Sequence, residues 1–559
     1  MKSQNGNVEY LYDKYIYIIK NVWTVYALYI VGIASWLLTV YGYILFFQVE
    51  PVYGYILGPV VLLYTLYYLI NYGLNFWYKK FDITQHETHI GRYWASQTEI
   101  VRGGGRNPSV DIFVTVCGED SSVIEKTLRA VSRISYENKK VYVLDDVGEE
   151  QHKHLAKELG FQYFSRENKG YMKKAGNIKH GYDNSDGDFI VIFDADFAPH
   201  HDFLHDLLPY TEDPSVALVQ SPQYFQTDDH VHNRSIIEYG AGQVQEDFYR
   251  IIQQSRDTFG AAICVGSNAI YRRSAIEDIG GPVLVDHSED VLMGFRLLNR
   301  KWRIKYIPLV LAVGLCPEEL HGYFHQQLRW CNGSMMLLFS REFWGSRLTF
   351  MQRLCFHAGF LYYITHAIEI LLSFQLFILI FAYPDYLSFA NSLPFIPYIL
   401  FIFVISPGFR VTQQRLGSYI TRYSHNYSYS YSLVMSLLGK AGVWHPTHSK
   451  KSRISDTYRQ MMIVATAYIL VYIFLVSLGI WKYDFSLFRF DNASVTFWVI
   501  YTVVMYGLHL WHSYDILLHL RQPEENRRLA NASRAQMQIR LSLVLITAFI
   551  GVFFVPYFF

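Results

Sequence analysis

Two hydrophobic patterns alternate along this chain. Near both ends apolar residues run on for twenty positions or so with hardly a charge, whereas in the middle they come in short bursts separated by stretches of helical periodicity. A helix needs about 20 mostly apolar residues to cross the hydrocarbon core of a bilayer. Residues 23–47, 52–77, 361–383, 389–405, 461–481, 495–511 and 541–559 meet that requirement, the fourth run being interrupted by Pro394 and Pro397. The expected layout is two spans (1–80) joined by the link 48–51, a globular domain (81–345), and an all-α membrane region with five further spans (346–559). In the middle region the short bursts predict strands at 111–116, 141–144, 189–193 and 217–220, each followed by helical sequence. That alternation is the pattern of an α/β domain with a largely parallel sheet and helices on both faces.

Charge orients the spans. Lys and Arg gather at Lys2, Lys14 and Lys20, then at Arg410, Arg415, Arg422, Lys440, Lys450, Lys451, Arg453 and Arg459, and again from Arg521 to Arg540. The links after spans one and three have none, and the link after span five has only Lys482 and Arg489. Positive flanks stay in the cytosol, so the N-terminus, the globular domain and both basic loops are expected inside a cell membrane and the C-terminus outside. The first run begins too deep and lacks the small-residue site of a cleavable signal. Residues 347–359 and 433–440 have the two-faced pattern of helices lying along the interface, or equally of ordinary surface helices. Composition agrees: 51% of residues are apolar and 17% charged, against about 25% charged in soluble domains. A net charge of +1 gives no reason to expect nucleic acid, and five cysteines without C-x-x-C spacing point to reduced thiols rather than structural zinc.

Candidate chemistry sits at the carboxyl ends of the predicted strands, where α/β sheets hold ligands. The first three strands end in Gly118-Glu119-Asp120, Asp145-Asp146 and Asp194-Ala195-Asp196. A D-x-D leaving a buried strand can hold a hard divalent cation together with phosphate oxygens, or merely cap a turn. Ser288-Glu289-Asp290 opens a helix. Serine and two acids are also what an N-cap and the helix dipole favour, so Asp290 is either a helix-capping acid or a general base. Gln326-Gln327-Leu328-Arg329-Trp330 lies in a helix expected to begin near Pro317. Gln326, Arg329 and Trp330 share one face at i, i+3 and i+4, presenting an amide, a bidentate phosphate clamp and an aromatic plane suited to a sugar ring. An amphipathic helix with a buried tryptophan accounts for Trp330 but not for the set.

In order and spacing, these motifs together resemble the D, DxD, (T/S)ED, Q(Q/x)xRW signature of processive family 2 glycosyltransferases of the cellulose synthase-like group, whose relatives make hyaluronan, chitin and other β-glycans. The resemblance covers residues 20–515 and implies a GT-A catalytic domain between spans. It implies that Glu119, Asp145 or Asp146, and Lys174 in KKAGN contact the nucleotide donor, that Asp196 with Asp194 holds Mg2+ or Mn2+, and that Asp290 is the base. It further implies that Gln326 and Arg329 meet the diphosphate and that Trp330, with Ser267 in VGSN, meets the acceptor. Only Gly266-Ser267 survives of the family's FFCGS-like turn. A gating-like loop is implied near 436–455, with Trp444, Thr447 and Lys450, although the family's pattern survives there only loosely. No PilZ-like domain follows Arg540, so cyclic di-GMP control through a domain of its own is not expected.

The implied reaction is an inverting transfer from a UDP-sugar, glucose being preferred, to a growing β-linked polysaccharide. The general base needs no special tuning if it keeps an ordinary aspartate pKa near 4. Polar residues in a span usually face a cavity or path, so His366, Glu369 and Gln375 are channel candidates for the product; interhelical hydrogen bonds are the other reading. Rival functions are a hyaluronan- or chitin-type synthase using UDP-GlcNAc or UDP-GlcA, a non-processive transferase acting on a lipid acceptor, a transporter with a regulatory domain, and a glycosidase. Accessory export or modifying proteins are possible partners besides the bilayer.

Overall fold

The computed structural model describes residues 13–225, 236–317, 320–372, 389–409, 416–439 and 457–465, with a few isolated positions between 383 and 474. The middle of the chain folds on a seven-stranded sheet. Its strands are β1 (Val110–Val116), β2 (Lys139–Asp145), β3 (Gln162–Phe164), β4 (Phe189–Asp194), β6 (Val216–Gln220), β8 (Ala269–Arg272) and β9 (Arg303–Tyr306), in the order β3-β2-β1-β4-β8-β6-β9. Three short strands, β5 (Phe197–Pro199), β7 (Tyr224–Phe225) and β10 (Ala312–Gly314), make a second sheet that the sequence pattern did not predict. The central strands β1 and β4 are buried on both faces, which explains the apolar runs Ile112–Val114 and Phe189–Phe193 at their centres. Along β1, Ile112 and Val114 pack into one core and Phe113 into the other, the period-two alternation of a pleated strand.

The expectation of a largely parallel sheet holds with one exception that matters for the site. β8 runs antiparallel to both neighbours, β4 and β6. An antiparallel strand begins where its parallel neighbour ends, so the turn before β8 is delivered to the carboxyl end of β4. Asn268 N–H donates to Ile192 O at 3.0 Å, and Asp194 N–H to Ser267 Oγ at 3.0 Å. The register pairs Val116 with Asp145 and Thr115 with Asp194, which brings the strand-end acids to one edge.

Ahead of the domain stand two helices, Val22–Val49 and Pro51–Asn75, long and apolar enough to cross a membrane. Asn21 caps the first by accepting from Trp23 N–H, and Pro51 opens the second where a missing N–H costs nothing. Trp23, Ile30, Leu37, Tyr55 and Ile56 point outward, unpacked by protein. Lys14, just before the first helix, pairs with Asp206 of the domain at 2.8 Å, so this flank of the first helix and the domain lie at the same end of the helix pair.

Behind the domain the helices differ from expectation. Residues 347–359 do not form a separate interfacial helix; one helix, Phe350–Leu372, runs through into the third predicted span. The fourth breaks around Pro394 into Phe389–Ser392 and Ile396–Leu400. Part of the predicted basic loop is instead the helix Leu416–Leu437, packed against Leu320–Leu338, Ile236–Asp247 and Phe350–Leu372, and the 433–440 stretch is its end. Ser424, Ser428 and Ser432 recur every four residues along its buried seam. Ser428 donates to Phe324 O at 3.2 Å, and Ser432 bonds Asn332. Small hydroxyl residues let two backbones approach while meeting each other's polar groups, which is why a polar tract is buried here. Spans six and seven, most of span five, Gln375, and the gating-loop residues Trp444, Thr447 and Lys450 lie outside the described residues.

Candidate active site

The edge formed by the ends of β1, β2 and β4 opens into a cavity of ≈ 830 Å³. Glu119, Asp146, Lys174, Asp194, Asp196, Asp290, Gln326, Arg329 and Trp330 all line it, although their positions in the sequence span more than 200 residues. Asp145 and Ser267, both fully buried, are not among its lining residues.

Acid crowding dominates the floor. Glu119 folds back so that Cys117 N–H donates to its Oε2 at 2.7 Å. Burial, then the charges of Asp194 and Asp145, still push its carboxyl up to about 7. Asp196 is held well above the ordinary carboxylate range by burial and by Asp194 and Glu119. Asp194 accepts from Thr115 Oγ1 at 3.2 Å and pairs with Lys174 at 2.5 Å. Crowded carboxylates that resist joint ionisation are the electrostatic condition a divalent cation relieves, so Asp194 and Asp196 fit a metal. Lys174 also donates to Gly266 O at 2.8 Å and lies 3.9 Å from Glu289. Its helix, Lys173–Asp183, is entered through two successive left-handed residues, Met172 and Lys173, with φ of 49° and 47°. Such backbone is costly for non-glycine residues.

Asp290 stands in the first turn of the helix Glu289–Asn299. Burial and the adjacent Glu289 raise its carboxyl to about 7, with Lys174 pulling the other way. That corrects the expectation of an untuned base. Gly266, at φ +73°, passes so close that a Cβ there would sit 2.9 Å from Asp290 Oδ2. The helix-cap reading of Ser288 fails: its φ is +50°, its side chain makes no cap bond, and its hydroxyl donates to Arg329 O at 3.2 Å. This bond joins the Asp290 turn to the helix carrying Gln326, Arg329 and Trp330. On that helix Gln327 also lines the cavity and accepts from Tyr429 Oη at 2.5 Å, while Gln326 Oε1 has no partner among the described residues. Burial lowers the Arg329 pKa, opposed by Asp194, Glu289 and Asp196.

The two acids of β2 are used structurally. Asp146 receives a bidentate pair from buried Arg166 at 2.6 and 2.9 Å, and Gly170 N–H at 3.1 Å. Asp145 accepts from Val147 N–H, Gly148 N–H, His152 Nδ1 and Tyr163 Oη. Burial opposes ionisation of Asp145, but these bonds outweigh it and hold its pKa below the usual range.

The cavity continues away from the acids. It passes Tyr249 and Tyr363, then runs between the first two helices and the helices Phe350–Leu372 and Leu416–Leu437, lined by Trp36, Tyr67, Tyr68, Tyr362 and Tyr398. His366 and Glu369 line this stretch, and Glu369 also takes the interhelical bond that the other reading expects, accepting from Asn426 Nδ2 at 3.2 Å. Arg422, read as part of a basic loop, lines it too, and so does Arg256. Nothing in the local sequence distinguishes either arginine from a solvated helix residue; only their place in the cavity wall does.

The family model described as Glycosyltransferase like family 2 matches residues 108–333, and the one described as Cellulose synthase matches 278–407. Cellulose synthase 1 of Komagataeibacter xylinus is 32% identical over 253 residues, covering 44% of this chain and 16% of its own. The UDP-forming cellulose synthase catalytic subunit of Xanthomonas axonopodis pv. citri (strain 306) is 32% identical over 261 residues, 46% of this chain and 36% of its own. The chain thus matches about a third or less of these relatives' length. A mannosyltransferase from Pyrobaculum calidifontis, solved with GDP-Man and Mn2+, overlaps at TM-score 0.40 and 15% identity, covering 64% of this chain and 98% of its own, too loosely to carry an argument. The globular domain is thus similar in sequence to family 2 glycosyltransferases and, among them, to cellulose synthases.

Proposed function

We propose that the protein is a processive, inverting hexosyltransferase that extends a β-linked glucan from UDP-glucose and passes the product between its own membrane helices. The observation that carries this reading is the continuity of one cavity from the acidic cleft, past Trp330, into an aromatic-lined passage between helices. A single-transfer enzyme needs the cleft and not the passage. Glucose is favoured by the S-E-D, Q-Q-L-R-W and D-F-A-P stretches and by the UDP-forming cellulose synthases among the relatives.

In this reading Asp290 takes the proton of the acceptor hydroxyl as that oxygen attacks the anomeric carbon from the face opposite UDP. The bond from that carbon to the diphosphate oxygen breaks, and UDP leaves with the electron pair. Inversion converts an α-linked donor into a β-linkage in one step. Lys174 and Arg329 meet the charge growing on the diphosphate, Gln326 offers it an amide, and Trp330 stacks the acceptor ring. Mg2+ or Mn2+ held by Asp194 and Asp196 would supply further positive charge to the diphosphate. The domain and chain start face the cytosol, in keeping with the Lys14–Asp206 pair and the basic flanks.

The test is turnover by the detergent-purified protein with Mg2+ or Mn2+, each UDP-sugar tried separately and the product sized. Long polymer from UDP-glucose, degraded by a β-glucanase, is the expected result. Polymer from another UDP-sugar alone overturns the donor, and single-sugar products overturn processivity.

A further inference from the structure

Arg256 is a buried cation without a counter-ion among the described residues. It lies on Gln253–Asp257, which continues the helix Ile236–Asp247 through the π-turn Phe248–Ile252. π-turns inside helices recur at functional sites. Its side chain is 4% exposed, and Nε and Nη1 have no hydrogen-bond partner. Among the described residues no carboxylate pairs with it; its neighbour Asp257 is spent on Lys305 Nζ at 2.6 Å and Tyr306 N–H at 2.7 Å. Leaving a guanidinium buried and unanswered is expensive, and the expense is unexplained by the fold.

Its position supplies a reason. Arg256 lines the cavity. Arg329, by contrast, sits among Asp194, Glu289 and Asp196, where its charge is met. The short helix bearing Arg256 packs against the end of Pro51–Asn75 and against β9, with Gln254 Nε2 donating to Lys79 O at 2.6 Å and Thr258 Oγ1 to Trp77 O at 2.9 Å. Arg256 therefore stands beyond the acid cluster, where the passage between helices begins. Gln245, eleven residues earlier and about three turns away on the same rod, is 7% exposed, lines the same cavity, and also has an unpartnered nitrogen, Nε2.

We propose that Arg256 is a subsite for the nascent chain, offering the donor edge of its guanidinium to a pair of oxygens on a sugar already added. The inference rests on the polymerase reading above. A guanidinium edge suits two oxygens at bidentate spacing. On a glycan these are vicinal hydroxyls of a neutral ring or the carboxylate of an acidic one.

The experiment compares the full-length purified protein with Arg256→Met and Arg256→Lys, reading product length, donor KM and melting temperature. A charged, desolvated hydrogen-bond site contributes enough that its loss shortens the product about tenfold. Donor KM stays within about twofold, because Arg256 is not among the residues proposed to meet the donor. Melting temperature holds or rises in Arg256→Met, since an unpaired buried charge has been removed. Arg256→Lys gives intermediate lengths, having charge without the fork. A neutral β-glucan oligomer and one bearing a uronic carboxylate are then tested for stabilising the unaltered protein; the stabilisation that Arg256→Met loses identifies the oxygen pair.

Product of full length from Arg256→Met, or stabilisation by both oligomers retained in it, overturns the subsite alone. A melting temperature that falls together with product length overturns it as well, by showing a structural role. If the unaltered protein releases no UDP from any sugar donor, the polymerase reading falls and the subsite with it.

Discussion

Asp290 and Asp146 are the same residue type at strand or helix ends of one cleft, yet their surroundings give them opposite duties. Asp290 keeps a carboxyl raised to about 7 by burial and Glu289. A raised folded-state pKa favours the protonated form, so the base is lost as pH falls through about 7. We expect kcat/KM to drop about tenfold per unit below that point, and a profile flat down to pH 5 would remove Asp290 from the role. By linkage the same shift stabilises the donor-free fold at low pH, a contribution lost as pH rises from about 4 through about 7. Asp290→Asn should therefore lower turnover about a thousandfold yet lessen the decline in melting temperature toward pH 8. Asp146, by contrast, answers the buried guanidinium of Arg166. Asp146→Asn strands that charge and should cost about 3–5 kcal/mol, seen as a large fall in melting temperature without donor. A variant as stable as the parent but with raised donor KM would instead make Asp146 a donor contact.

Between elements, the site depends on how closely the helix Leu320–Leu338 approaches the Asp290 turn. Gly333 permits it: a Cβ there would lie 2.1 Å from Ser288 Oγ. Gly333→Ala must push the two apart, and displacements of about an ångström cost catalysis about a hundredfold, with overpacking costing about 1–3 kcal/mol. Stability and kcat measured together check this; an unchanged kcat would show that the junction does not position Asp290. Strands β1, β2, β4 and β6 were legible in the sequence because buried parallel strands are simple apolar runs. The Leu416–Leu437 helix was not. Its Tyr427–Ser432 tract and basic flank look solvated, and only contact with Leu320–Leu338 explains why serines are inside.

At the scale of the whole molecule, cleft and passage are one space. Glu369 lines that passage and accepts from Asn426 Nδ2 at 3.2 Å. If the passage carries product, Glu369→Ala should shorten the polymer about tenfold, the effect of losing one charged hydrogen-bonding group. Gel sizing of the product decides, and unchanged lengths would remove Glu369 from the path. Val22–Val49 and Pro51–Asn75 leave apolar faces uncovered by protein, as a lipid-facing surface requires.

Local chemistry determined much by itself. Apolar run lengths specified the first two helices and the central strands, and residue spacing put Gln326, Arg329 and Trp330 on one helix face, because periodicity is a property of the backbone. Tertiary structure decided the rest. It spent Asp145 and Ser267 on internal hydrogen bonds, raised Asp290, buried Arg256 with no carboxylate partner among the described residues and drew Arg422 into the passage. Burial and electrostatic neighbours are set by residues far apart in the chain, and no local pattern records them.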